Sequence, residues 1–242
     1  MNAQHQAAIR PAVRVGGLTP FSLSDWPDHL AAVVFCQGCP WRCAYCHNPH
    51  LIPPRSTSAI EWSGVIEFLR GRQGLLDGVV FSGGEPTAQT GIVRAIAEVK
   101  SLGFKAGLHT SGAYPRRLAR LLPVLDWVAM DIKAPFEEYE RTTGVAASGN
   151  AALASIRLIL QSGVAHEFRT TVHPSLLPLE RVPQLAQSLA TLGVRNYALQ
   201  EFRPQGCANA DLAAAGASFH LEPALAATLA PLFTSFCVRH SG

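Results

Sequence analysis

Residues 30–50 read LAAVVFCQGCPWRCAYCHNPH, an apolar run that ends directly on four cysteines packed into eleven residues. The run Leu30–Phe35 is short and continuous, which predicts a buried strand. Cys36, Cys39, Cys43 and Cys46 follow with gaps of two, three and two residues. A zinc ribbon separates its paired cysteines by about 15–20 residues, and here Cys39 and Cys43 stand three residues apart. A bacterial ferredoxin run has the order two, two, three, which is absent. What remains is the unit Cys39-Pro-Trp-Arg-Cys43-Ala-Tyr-Cys46, with Cys36 outside it.

Outward from this stretch the chain alternates between strand and helix patterns. Strands are expected at 30–35, 77–87 (running into a glycine turn), 104–112, 126–135, 166–174 and 195–202. Helices are expected at 59–72, 90–103, 114–125, 152–163, 182–193 and 222–236. The first 17 residues and 203–219 read as loops. Six strands alternating with helices imply parallel βα units with right-handed crossovers. The polar, glycine-rich and cysteine-rich segments follow the strand ends, where α/β barrels and open sheets place their chemistry.

Composition sets bounds on function. The chain has 242 residues, 48% of them hydrophobic, with 20 basic against 17 acidic side chains and a net charge of +3. That charge is too mild for nucleic-acid binding, and no Lys/Arg stripe occurs. The N-terminal segment is polar and lacks the apolar stretch of a secretory signal. No apolar run approaches the roughly 18–20 residues of a membrane helix. A cytoplasmic protein with reduced thiols is expected, so the cysteines read as metal ligands or catalytic groups before disulfides.

The CxxxCxxC unit resembles the signature of the radical S-adenosylmethionine (SAM) superfamily. The resemblance implies a partial (β/α)6 barrel of parallel strands with the cluster loop after the first. It implies one [4Fe–4S] cluster held by Cys39, Cys43 and Cys46, with SAM chelating the fourth iron. Cys36 is then a small buried hydrophobe, and Cys207 and Cys237 have no metal role. Residues 1–242 are expected to form a single unit, with a core over about 15–202 and a C-terminal loop and helix over 203–242.

Other segments carry the resemblance further. FSGGEPT (81–87) is similar to the motif that receives the SAM ammonium group, which assigns Gly83, Gly84 and Glu85 to the cofactor. CAYCHNP (43–49), HTSG (109–112) and DWVAMDIKAP (126–135) look like the activating enzymes of glycyl radical enzymes. On that likeness Tyr45 and His47 contact SAM, and Asp131 and Lys133 meet its polar groups. FRTTVHP (168–174) adds His173 near ribose and adenine. Arg169 reads equally as a carboxylate partner and as a strand-edge charge. The pyruvate formate-lyase branch carries Asp-Thr-Asn-Gly where this chain has His109-Thr110-Ser111-Gly112. A histidine is a poor ligand for an alkali cation, so the cation site of that branch is not transferred. Residues 47–82 contain no cysteine, which argues against the members with inserted ferredoxin segments. Ser22 through Asp25-Trp26-Pro27 resembles the turn of the longer anaerobic ribonucleoside-triphosphate reductase activating proteins.

The implied activity is reductive cleavage of SAM to a 5′-deoxyadenosyl radical that takes a hydrogen from a glycine of a partner enzyme. Flavodoxin or ferredoxin would donate the electron. Two other readings stay open: a radical SAM enzyme acting on a small molecule of the deazapurine type, and a non-catalytic iron–sulfur or zinc carrier.

Overall fold

The computed structural model describes residues 13–57 and 60–240. Its frame is one sheet of eight strands in sequential order. β1 (Val15–Ser22) pairs antiparallel with β2 (Ala31–Cys36), and every later neighbour is parallel. The succession is α1 (Trp62–Arg70), β3 (Gly78–Gly83), α2 (Ile92–Ser101), β4 (Lys105–Thr110), α3 (Pro115–Leu121), β5 (Trp127–Asp131), α4 (Tyr139–Thr143), α5 (Ser148–Ser162), β6 (Ala165–Val172), α6 (Val182–Leu192) and β7 (Asn196–Glu201). Then come α7 (Ala210–Gly216), α8 (Pro223–Leu229) and β8 (Ser235–Arg239).

Period-2 alternation decides what each face of the sheet holds. Ala32, Val34, Cys36, Val79, Phe81, Leu108, Val128 and Met130 belong to the larger core, shared with apolar residues of α1, α2, α3, α5 and α6. The opposite parity, Ala31, Val33, Val80, Trp127 and Ala129, forms a smaller core around Trp26. Strands covered on both faces must be apolar on both, which is why β2 reads as an unbroken apolar run.

Trp26 comes from the turn between β1 and β2. Ser22 Oγ donates to Asp25 Oδ2 and accepts from Asp25 N–H at 3.3 Å. The turn lays the indole on Trp127, with ring centroids 5.4 Å apart. Glycine makes the room: a Cβ on Gly78 would stand 2.9 Å from Trp26, and one on Gly107 would stand 2.8 Å from it. The indole thus fills the lumen of the curved sheet at the N-terminal ends of its strands.

Three expectations are corrected. The expected N-terminal loop falls partly on 1–12, outside the described residues; within them, Val15–Ser22 is a strand. Alternation over VGGLTPFS is obscured by two glycines and a proline, and register shifts interrupt its pairing with β2. The stretch 203–219 contains α7, whose Asn209 side chain accepts from Leu212 N–H and caps it. The helix expected over 222–236 stops near Leu232, and Ser235–Arg239 adds β8 to the sheet. Pro231 lies in the 3-10 turn that follows α8, where its ring removes a backbone donor.

Candidate active site

Above the Trp26 layer, the inward parity of the strands turns from apolar to polar. Val80 gives way to Ser82, Gly107 to His109 and Ala129 to Asp131, and β6 contributes Arg169 and Thr171. These five polar residues line one cavity with Gly83, Gly84, Ser111 and Lys133. The opposite wall is the loop after β2, through Cys39, Trp41, Cys43, Tyr45, Cys46, His47 and Asn48. All three cysteines of the CxxxCxxC unit therefore face the same space.

The loop is fastened to the sheet through backbone. Gly84 N–H donates to Cys36 O at 2.9 Å and Glu85 N–H to Gly38 O at 2.9 Å. Glycine is required here, since a Cβ on Gly84 would sit 2.5 Å from Gly38 O, and Gly83 has φ of +107°. On the far side, Arg42 N–H and Ala44 N–H donate to Thr143 O and Thr142 O of α4.

Charge is concentrated on the strand-end wall. Asp131 accepts from Lys133 Nζ at 2.9 Å and from Arg169 Nε at 3.1 Å. Burial alone would raise the Asp131 carboxyl, but Lys133 and Arg169 outweigh it and hold it well below the usual carboxylate range. Burial likewise opposes the Lys133 ammonium, yet Asp131 keeps it well above its ordinary value. His109 Nε2 lies 2.7 Å from Asp25 O, and its Nδ1 is 3.2 Å from Ser82 Oγ. Asp25 O can only accept, and Arg169 Nη1, 3.3 Å from the same nitrogen, can only donate; the shorter carbonyl contact assigns the proton to Nε2 and leaves Nδ1 to accept from the serine. Burial, then the Arg169 charge, push the imidazole down to about 3, so this histidine is neutral.

The cysteine wall is sulfur-rich, and its three thiols are partly buried. Burial, then the Glu85 charge, push the Cys39 thiol up to about 12, and burial raises Cys43 as well. Thiols in such surroundings keep their protons unless a metal displaces them. Tyr45 adds a buried hydroxyl with no hydrogen-bond partner, and Lys133 Nζ stands 5.8 Å from the centre of its ring. Among the described residues no three His, Cys, Asp or Glu side chains converge on a single ion position. Soft thiols around a shared space suit an iron–sulfur cluster. The paired charges opposite suit a zwitterionic amino-acid group. The residues present therefore fit both groups that the sequence implied.

Two predicted contacts have other employment. Glu85 does not line the cavity. Its Oε1 accepts from Thr87 N–H at 3.0 Å, Thr87 Oγ1 at 2.6 Å and Thr110 Oγ1 at 2.9 Å. Its Oε2 accepts from Ser111 N–H at 2.8 Å and Ser111 Oγ at 2.6 Å. Five donors occupy both oxygens, so the carboxylate ties the turn after β3 to the end of β4. His173 is fully buried outside the cavity. Its Nδ1 accepts from Ser175 N–H at 3.1 Å, so Nε2 carries the proton and donates to Leu212 O of α7 at 2.9 Å. The unforeseen helix α7 is what captures it.

The other assignments come together. Tyr45, His47, Gly83, Gly84, Asp131 and Lys133 line the cavity with the three cysteines. Burial lowers the His47 imidazole, and its Nε2 bonds Arg203 O at 2.9 Å. Cys36 is fully buried on the helix-covered face of the sheet, and burial pushes its thiol up. Sequence reasoning did not single out Ser82, Thr171, Asn48 or Ser111, and left Arg169 undecided. For Ser82, Arg169 and Thr171 the signal was available, since their parity matches Asp131.

Comparison with known proteins agrees with this geometry. The profile of the Radical SAM superfamily matches residues 33–188. A protein of Methanocaldococcus jannaschii, named by inference as a glycyl-radical enzyme activating enzyme, is 32% identical over 79% of this chain and 80% of its own length. A pyruvate formate-lyase-activating enzyme of Clostridium pasteurianum is 27% identical over 79% of this chain and 81% of its own. In fold, the chain matches Streptococcus suis SuiB bound to S-adenosylmethionine with a TM-score of 0.61 at 12% identity, covering 85% of this chain and 48% of that one.

Proposed function

The chain belongs to the radical SAM superfamily, and we propose that within it this protein activates a glycyl radical enzyme, with an anaerobic ribonucleoside-triphosphate reductase as the partner. Cys39, Cys43 and Cys46 would hold a [4Fe–4S] cluster, and Tyr45, His47, Gly83, Gly84, Asp131 and Lys133 the SAM beside it. When bound, these groups supply one-electron cleavage of SAM and removal of a hydrogen atom from a glycine Cα of the partner. The chain's own residues position and exclude. Asp131 offers an acceptor whose charge is fixed by two cations. Lys133 and Arg169 offer donors to a carboxylate, and Ser82 and Thr171 add hydroxyls. The Trp26–Trp127 stack keeps water from the cavity floor.

The observation that carries the reading is that filled lumen. A free metabolite would need room inside the barrel beside SAM, and Trp26 occupies the space beneath the cavity. A substrate presented from outside, as a loop of another protein, meets no such obstacle. The similarity to activating enzymes over four-fifths of the chain supports the same reading. The turn from Ser22 to Pro27 favours the reductase as partner, and a cytoplasmic flavodoxin or ferredoxin suits the electron-donor role.

The test mixes the reduced protein, SAM and the reductase of the same organism without oxygen. Electron paramagnetic resonance is expected to show a glycyl doublet that collapses to a singlet when the glycine α-hydrogen is replaced by deuterium. SAM cleavage without that signal, with this or any other glycyl radical enzyme of the organism, would hand the site to a small-molecule substrate.

A further inference from the structure

Glu85 is a buried carboxylate that, among the described residues, neither lines the cavity nor pairs with a cation. Its five partners are hydroxyls and backbone amides of Thr87, Thr110 and Ser111. Burying a charge is expensive, and hydrogen bonds offset the cost only when every lone pair is used. A neutral side chain would join the turn after β3 to β4 at lower cost, so the retention of a full charge calls for a second reason. The location offers one. The Glu85 backbone N–H donates to the carbonyl of Gly38, the residue just before Cys39, and Gly84 N–H donates to Cys36 O. The anion is therefore anchored directly behind the start of the cysteine loop, on the helix-covered side of the sheet. Through Gly38 the anion is joined by backbone to the residue that precedes Cys39, with buried protein and no cation between them among the described residues.

We propose that Glu85 is a tuning residue, a fixed negative charge behind the cysteine loop that lowers the reduction potential of a cluster held by Cys39, Cys43 and Cys46. The role rests on the cluster assignment of the preceding subsection. Placing one more electron beside a buried anion is disfavoured, and low local dielectric leaves that repulsion poorly screened. The five donors hold the charge at one place, and each withdraws a little of its field. Thr110 and Ser111 therefore set how strongly Glu85 acts, and removing one of their donors strengthens it.

The experiment is a midpoint-potential titration of the reconstituted cluster, without SAM, followed by electron paramagnetic resonance, with iron and sulfide counted in each sample. Glu85→Gln keeps the shape and removes the charge. It is expected to favour reduction by about tenfold, a shift of about 59 mV to more positive potential. Glu85→Asp keeps the charge and is expected to stay nearer the unaltered protein. Ser111→Ala keeps the charge, removes one donor, and is expected to move the potential the other way. A merely structural cross-link would not give shifts of opposite sign. An unchanged or more negative potential in Glu85→Gln, at normal iron content, overturns the proposal. Should Glu85→Gln take up no cluster, Ser111→Ala decides: a more negative potential supports the role and any other result overturns it. An unaltered protein that binds no four-iron cluster overturns the cofactor assignment itself, an outcome distinct from an absent shift.

Discussion

Gly107→Ala probes the packing of Trp26 through a single methyl. The new Cβ would stand 2.8 and 2.9 Å from two ring carbons of Trp26 and 3.2 Å from Val80 Cγ2. Real carbon atoms do not approach so closely, and the indole is a rigid plate wedged against Trp127. Overpacking of this kind costs about 1–3 kcal/mol. Against it, alanine reduces the freedom of the unfolded chain, which stabilises by about 0.4–1 kcal/mol. The clash wins, and a net loss of about 1–2 kcal/mol is expected, lowering Tm by roughly 2–8 °C for a chain of this size. Trp26→Leu alone opens a cavity and is expected to cost about 2–4 kcal/mol. In that background the clash is relieved, and Gly107→Ala is expected to be neutral or stabilising. The two changes should thus couple by about 1–3 kcal/mol in a double-mutant cycle, read by thermal and urea denaturation followed by circular dichroism. Simple additivity would show that Trp26 does not fill the lumen against Gly107, and the case against a small-molecule substrate would fall with it.

Three further outcomes are expected. Cys36→Ala should keep about four irons and reductive SAM cleavage, whereas Cys43→Ala should lose both; loss of the cluster in Cys36→Ala would refute the three-cysteine assignment. Asp131→Ala and Lys133→Ala each remove a charge-assisted partner worth about 1.5–3 kcal/mol, and Gly84→Val drives a side chain into Gly38 O. Asp131→Ala and Lys133→Ala should retain cluster absorbance yet bind SAM at least about tenfold more weakly in anaerobic calorimetry, and Gly84→Val, which displaces the loop before Cys39, should weaken SAM binding and cluster retention together; unchanged affinity in all three would mean the cofactor lies elsewhere. His109 titrates near 6.5 when unfolded and about 3 when folded, so below 6.5 the unfolded state takes a proton that the folded one refuses. Stability should fall with pH from about 6.5 toward 3, by up to about 1.4 kcal/mol per unit for this one site, and His109→Gln should remove that share of the slope; an unchanged slope would mean that the imidazole is not buried neutral.

Much of the site was readable because the chemistry of its walls is local in sequence. The three thiols lie within eight residues, and Asp131 and Lys133 end a strand whose apolar run announces it. Tertiary capture is what sequence hid. Glu85 sits in a motif that resembles a cofactor contact, and only the fold shows Thr110 and Ser111 brought from the next strand to occupy it. His173 follows its strand as expected, but the carbonyl that claims it belongs to Leu212, 39 residues later. The six central strands were legible from short apolar or β-branched runs bounded by glycine, proline or a helix pattern. The two edge strands were not, because β1 is broken by Gly16, Gly17 and Pro20, and β8 is short and only partly buried.

The bond from His47 to the carbonyl of Arg203 also bears on the order in which the protein is made. The two residues are 156 positions apart, and Gly206 lies so close that a Cβ there would stand 2.5 Å from His47 O. At about 5–20 residues per second, roughly 8–30 s of synthesis separate the cysteine loop from the segment that clasps it. The wall of the cavity that carries Cys39, Cys43 and Cys46 therefore gains its contact with the 203–209 segment only after most of the sheet has been made.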